Sequence, residues 1–234
     1  MENTMKVIGL LGGMSWESTL DYYKLINQGI SRQLGGFHSA QISMISVDFA
    51  YLEENMSQGN WAACAETLVA AARKVEKTGA ECLLICTNTL HKVAPEVEKA
   101  IQIPLLHIAD AAGEALRQKG VSAIGLLGTR FTMEEDFYRL RLAEKFSLRV
   151  FTPPAEDRQI VDRIIFKELC MGTVTTDSRN EYIRIMEELQ SQGAEAILLG
   201  CTEIAMLVNE KHTDIPLFDT TAIHADMAVR FSLG

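Results

Sequence analysis

Short apolar runs rich in Ile, Val and Leu alternate along this chain with longer segments of helical period. That alternation is the sequence pattern of a parallel sheet with helices on both faces. The runs predict strands at residues 7–11, 42–47, 82–86, 105–108, 123–127, 148–151, 196–199 and 216–218, with helices filling the gaps. Two helix starts carry a signal of their own: Thr132-Met133-Glu134-Glu135 and Ser178-Arg179-Asn180-Glu181 match a capping box, in which a hydroxyl and a carboxylate satisfy orphan amides reciprocally. Four predicted strands run into distinctive motifs: Gly12-Gly13-Met14-Ser15, Cys86-Thr87-Asn88-Thr89, Gly128-Thr129-Arg130-Phe131-Thr132 and Cys201-Thr202-Glu203. Open α/β sheets bind ligands beyond the carboxyl ends of their strands, so all four are candidates for one site.

The pattern is written twice. Gly79-Ala80-Glu81, an apolar run and Cys86-Thr87-Asn88 return as Gly193-Ala194-Glu195, an apolar run and Cys201-Thr202-Glu203. Ile8-Gly9-Leu10-Leu11-Gly12 returns as Ile124-Gly125-Leu126-Leu127-Gly128, and Ile103-Pro104-Leu105 as Ile215-Pro216-Leu217, at nearly the same offset. Repetition at half the length predicts two α/β lobes, residues 1–108 and 109–221, with a last helix at 222–234 returning to the first. Lobes packed about a pseudo-two-fold axis would bring equivalent strand ends to one cleft, one thiol from each side. Such an arrangement suits moving a proton between two faces of one carbon.

Composition narrows the classes. At 234 residues, 47% hydrophobic and 23% charged, the chain is ordinary globular material, long enough for two small lobes. A net charge of −9 and a pI near 5.1 leave no basic stripe for phosphates, which argues against nucleic acid as a partner. No apolar stretch reaches the roughly 18 residues of a membrane span, and no polybasic segment would attract anionic lipid. Residues 1–6 lead into a strand without a signal-type apolar core, and five cysteines without framework spacing fit reduced thiols; both point to the cytoplasm.

The candidate chemistry centres on Cys86 and Cys201. Removing the α-proton of an amino acid without a cofactor needs a base, an acid on the opposite face and aligned donors for the developing charge. A thiol serves once its pKa is lowered, and the expectation is that a helix amino terminus after each cysteine does so. Cys64, Cys82 and Cys170 read as small buried hydrophobes. Thr87, Asn88 and Thr89 after one thiol, and Thr202 after the other, read as caps whose exposed amides could also hold a substrate carboxylate. Glu203 could bind the substrate ammonium, orient a partner or simply favour a helix dipole. Gly12-Gly13-Met14-Ser15 allows close backbone approach to a ligand but is neither a dinucleotide nor a P-loop fingerprint. The five histidines lack metal spacing; His91 and His107 read as satisfied core residues, and no metal site is expected.

Together, Gly12-Gly13-Met14-Ser15-Trp16-Glu17-Ser18, Cys86-Thr87-Asn88-Thr89, Leu127-Gly128-Thr129 and Gly200-Cys201-Thr202-Glu203 resemble the aspartate/glutamate racemase family within the Asp/Glu/hydantoin racemase superfamily. The resemblance spans essentially the whole chain. It implies a pseudosymmetric two-lobed α/β enzyme, usually a homodimer, that racemises amino acids without pyridoxal phosphate or metal, using Cys86 and Cys201 as acid and base. It also implies Met14, Asn88, Thr89, Thr129 and Thr202 as contacts of the substrate carboxylate. Where aspartate racemases of this family carry an arginine for the side-chain carboxylate, this chain has Val47-Asp48-Phe49-Ala50, and Phe49 cannot make that contact. Lys167 is the replacement cation the resemblance suggests. Glutamate or aspartate is the expected substrate; neutral amino acids, a maleate-isomerase-like reaction and a non-catalytic amino-acid-binding module are the alternatives.

Overall fold

The computed structural model describes residues 5–234, so the expectations placed on residues 1–4 lie outside the described residues. The chain divides into two compact units. The first runs to Ile108 and takes in His224–Gly234; the second is Ala109–Ile223, two residues longer than the lobe expected to end at 221.

In the first unit the order is β1 (Ile8–Gly12), α1 (Trp16–Leu34), β2 (Ile42–Ser46), α2 (Phe49–Ser57), α3 (Trp61–Lys77), β3 (Cys82–Ile85), a 3-10 turn (Thr89–Val93) and α4 (Ala94–Ala100). Its sheet is parallel in the order β2-β1-β3. Strands buried on both faces read as unbroken apolar runs, which is why β1 and β3 were visible in the sequence. Ile8, Leu10 and Leu84 pack with Tyr22, Ile26 and Ile30 of α1, while Leu11, Leu83 and Ile85 pack on the other face with Leu68, Ala72 and Val75 of α3.

The second unit holds α5 (Ile108–Gln118), β4 (Ala123–Gly128), α6 (Arg130–Glu134), α7 (Asp136–Phe146), β5 (Arg149–Phe151), α8 (Ala155–Lys167), α9 (Thr176–Ser191), β6 (Ala196–Gly200), α10 (Ile204–Leu207), β7 (Leu217–Asp219) and the start of α11 (Thr220–Leu233). Its parallel sheet has the order β5-β4-β6-β7. The two sheets repeat one topology, with β1 matching β4, β2 matching β5 and β3 matching β6. No helix of the described residues is long and apolar enough to cross a membrane.

Two expectations are corrected. The strand at 105–108 is a single bridge from Leu105 to Leu83, and Ile108 already opens α5. Side chains divert its backbone: the Leu106 carbonyl accepts from His224 Nε2 at 2.6 Å, and the Ile108 amide donates to His91 Nε2 at 3.2 Å. Neither group is left for a ladder. The repeated segment in the second unit forms β7.

Both helices start a turn earlier than expected, so neither predicted capping box caps its helix. Thr129, not Thr132, caps α6 by accepting from the Thr132 amide, and Thr175, not Ser178, caps α9 by accepting from the Ser178 amide. An upstream threonine wins the cap in each case, and the Ser178 hydroxyl turns to Glu168 at 2.5 Å instead.

The repeated Gly-Ala-Glu is structural. Gly79 and Gly193 take positive φ just after α3 and α9, a backbone region glycine enters without penalty. Glu81 then accepts from the Val7 amide, and Glu195 from the Ser122 amide, each at 2.9 Å beside the start of the central strand.

Candidate active site

In the first unit, Leu11 lies opposite Ile85 in parallel register, so the Gly12–Ser15 loop and the Cys86–Thr89 segment leave the sheet side by side. The loop is tightly built. Gly13 sits at φ +93, where a Cβ would meet the Val47 carbonyl at 2.1 Å, and its amide donates to Thr19 Oγ1 at 2.7 Å. Ser15 caps α1, and Met14 is buried against Leu11, Leu52 and Met56. Cys86 is fully buried; its amide donates to the Leu11 carbonyl at 2.9 Å and its carbonyl accepts from Ser18 Oγ at 3.0 Å.

His91 holds the next residues. Its Nε2 accepts from the Ile108 amide, so Nδ1 carries the proton and donates to the Thr87 carbonyl at 2.7 Å. The ring is thus a neutral, buried strut between the Cys86 segment and Ile108, both in the first unit. Asn88 precedes the 3-10 turn and Thr89 opens it, both buried. His107 packs against His91 with ring centroids 4.5 Å apart and the planes tilted by 59°.

The second unit repeats this plan with one chemical difference. Gly128 pairs with Gly200, so Thr129 and Cys201 emerge side by side from β4 and β6. A Cβ on Gly128 would meet the Gly200 carbonyl at 2.8 Å, so this close approach requires glycine. Cys201, 9% exposed, donates from Sγ to Glu203 Oε2 at 2.9 Å, and the Thr202 hydroxyl donates to the same oxygen at 2.5 Å. Glu203 is itself buried. The residue at the matching place after Cys86 is Asn88, which carries no charge.

Both thiols lie above, not below, the ordinary range. Burial alone pushes Cys86 up. Burial first, then the Glu203 carboxylate, raises Cys201. The expected lowering by helix termini fails because the elements that follow are short, a five-residue 3-10 turn and the four-residue α10, so desolvation outweighs them.

Phe49 starts α2 behind its cap Asp48 and packs against the apolar cluster that contains Met14. Lys167 ends α8 and lines a cavity that reaches Arg130, the residue after Thr129. Among the described residues, no group of three or more His, Cys, Asp or Glu is arranged to hold a metal ion. The Gly13–Thr19, Ser18–Cys86 and His91–Thr87 bonds escaped the sequence reading, since nothing local in sequence marks a side chain that supports a distant loop.

A family model for the Asp/Glu/hydantoin racemases matches residues 11–228, which takes in both cysteine segments. The chain belongs to that family. Over 98% of its length and the whole of the other chain, it superposes with TM-score 0.93 and 50% identity on a Yersinia pestis protein proposed to be an Asp/Glu racemase. An aspartate racemase homologue from Pyrococcus horikoshii OT3 is 33% identical over 97% of this chain and 99% of its own, with TM-score 0.84. Among curated proteins, the broad specificity amino-acid racemase RacX of Bacillus subtilis is 24% identical over 164 residues, 70% of each chain.

Proposed function

We propose that the protein is a cofactor-independent amino-acid racemase that interconverts the L and D forms of glutamate or aspartate, with Cys86 and Cys201 as the two proton-transferring thiols. The observation that carries this reading is their matched placement, each just beyond the strand beside the central strand of its own unit. One thiolate would take the α-proton while the other thiol delivers a proton to the opposite face, and the roles exchange with the handedness of the substrate.

The Cys201–Glu203 hydrogen bond gives a route to the thiolate in a buried setting. Passing the thiol proton to Glu203 keeps one negative charge on the pair, whereas ionising Cys201 beside a charged carboxylate would put two there. Met14, Thr87, Asn88, Thr89, Thr129 and Thr202 are assigned to the substrate carboxylate, whose developing charge needs aligned donors. Lys167 is assigned to the side-chain carboxylate. The same reading carries a homodimer, to be tested by light scattering, and a cytoplasmic location.

A broader substrate range is the second reading. It is favoured by Phe49, which is committed to an apolar cluster at the place where aspartate racemases carry a cation. Incubation in deuterated water with L-glutamate, L-aspartate and neutral L-amino acids separates the two. The expected result is loss of rotation with α-deuterium incorporation, fastest for the acidic pair. Equal rates across the panel would favour broad specificity, and silence on all substrates would refute racemisation.

A further inference from the structure

The residues that follow β7 bring one more hydroxyl to the Cys201 end of the second unit. Parallel pairing sets Leu199 of β6 opposite Asp219 of β7, with neighbouring strands about 4.8 Å apart. Cys201 and Thr221 therefore stand at matching positions, each two residues past that pair. One residue earlier, the Thr220 hydroxyl donates to the Leu199 carbonyl at 2.7 Å and holds the start of α11 against the end of β6. The Thr221 and Ala222 amides donate to Asp219 Oδ1 at 2.8 and 3.3 Å, which fixes the backbone around Thr221.

Thr221 is 3% exposed, yet its Oγ1 has no hydrogen-bond partner among the described residues. Buried hydroxyls are nearly always paired, and an unpaired one destabilises the fold that carries it. Two other hydroxyls near Cys201 are committed. Thr202 donates to Glu203 Oε2, and Tyr182 of α9, which shares the apolar cluster of Cys201, donates to the Val161 carbonyl at 3.1 Å. The titratable groups around the sulfur are Tyr182, Glu203 and Cys170 of the 3-10 turn Leu169–Met171. Each is neutral or negative, so none of them balances a thiolate with positive charge. The Glu203 amide favours the thiolate, but burial and the Glu203 carboxylate outweigh it. In the first copy of the repeat, four residues after the leucine of Ile-Pro-Leu, the matching residue is Ala109, so this hydroxyl belongs to the Cys201 copy alone.

We propose that Thr221 is a further catalytic residue of the Cys201 half-site, its hydroxyl donating to the sulfur once the thiol proton has passed to Glu203. The proton leaves Sγ for Glu203 Oε2, the single negative charge moves from carboxylate to sulfur, and the hydroxyl keeps its own proton and rotates towards the new charge. A donor that is idle in the resting state and engaged only in the reacting one lowers the barrier instead of deepening the ground state. The assignment deepens the racemase reading and rests on it for the effect on turnover.

The test pairs Thr221→Val, which keeps the shape and removes the hydroxyl, with Thr221→Ser, which keeps the hydroxyl. Melting temperature and the kinetics of L- and D-glutamate are measured on each. The pH onset of iodoacetamide alkylation is read at Cys201 by peptide mass in a Cys86→Ser background. Thr221→Val is expected to melt at or above the unsubstituted temperature, because the resting fold loses no hydrogen bond. It should lose about tenfold or more in kcat with KM little changed, and its alkylation onset should rise by about one pH unit. Thr221→Ser should stay near the unsubstituted protein in all three. Unchanged kcat and alkylation onset in Thr221→Val would overturn the assignment. So would a clear fall in its melting temperature, since the hydroxyl would then be holding the resting fold. If the unsubstituted protein racemises nothing while Thr221→Val still shifts the alkylation onset, the racemase reading fails and the Thr221–Cys201 contact stands.

Discussion

Glu203 and Asn88 occupy the same place after their cysteines, and their difference in charge makes the two thiols chemically unequal. The carboxylate of Glu203 raises Cys201, so removing its charge should lower that thiol. In a Cys86→Ser background, Glu203→Gln is expected to move the onset of Cys201 alkylation to lower pH. In the otherwise native chain it should slow racemisation on the order of a hundredfold, the scale of a lost acid–base partner. An unchanged alkylation profile would remove Glu203 from the proton path.

His224 makes a second prediction at this scale. Its Nε2 donates to the Leu106 carbonyl and its Nδ1 accepts from Tyr22, and burial lowers it from 6.5 to about 4. A base held neutral in the folded state stabilises fully above its unfolded pKa and loses that contribution as pH falls from 6.5 towards 4. The loss should approach about 3 kcal/mol, readable as a fall in urea midpoint between pH 7 and pH 4 that His224→Gln flattens.

At the scale of elements, the short connections hold the residues proposed to react and should be the least tolerant of change. Gly13→Ala puts a Cβ against the Val47 carbonyl at positive φ and is expected to cost about 2 kcal/mol or more. Thr129→Ala removes the α6 cap, with a cost of about 1 kcal/mol, and, under the proposed role of Thr129 at the substrate carboxylate, a raised KM. Thermal melts and kinetics of the two variants check both.

What the sequence made legible follows from the same physics. Doubly buried strands such as β1, β3, β4 and β6 announce themselves as apolar runs. Residues 105–108 carried the same composition, but His91 and His224 take their backbone groups, and that competition comes from positions far away in the chain. Both misplaced caps had the right residue type and the wrong threonine or serine. The repeated Cys-Thr singles out the two candidate thiols, whereas their raised pKa depends on burial that only the folded chain reveals. Lys167 was visible in the sequence, but the cavity it lines was not, because two separate helices make that cavity.

At the scale of the whole molecule, the duplicated strand order, β2-β1-β3 and β5-β4-β6, places the same kind of segment at the same strand ends in each unit. The two units share Gly-Ala-Glu as scaffold and Cys-Thr as candidate chemistry, and differ at Asn88 and Glu203. A duplicated half-site predicts that neither unit suffices, because a single thiol serves only one face of the α-carbon. The most direct measurement is the rate at which Cys86→Ser and Cys201→Ser change the optical rotation of L-glutamate and of D-glutamate. The two-thiol account predicts that both substitutions abolish the change from either enantiomer with the fold intact by circular dichroism. Racemisation near the unsubstituted rate in either variant would contradict it.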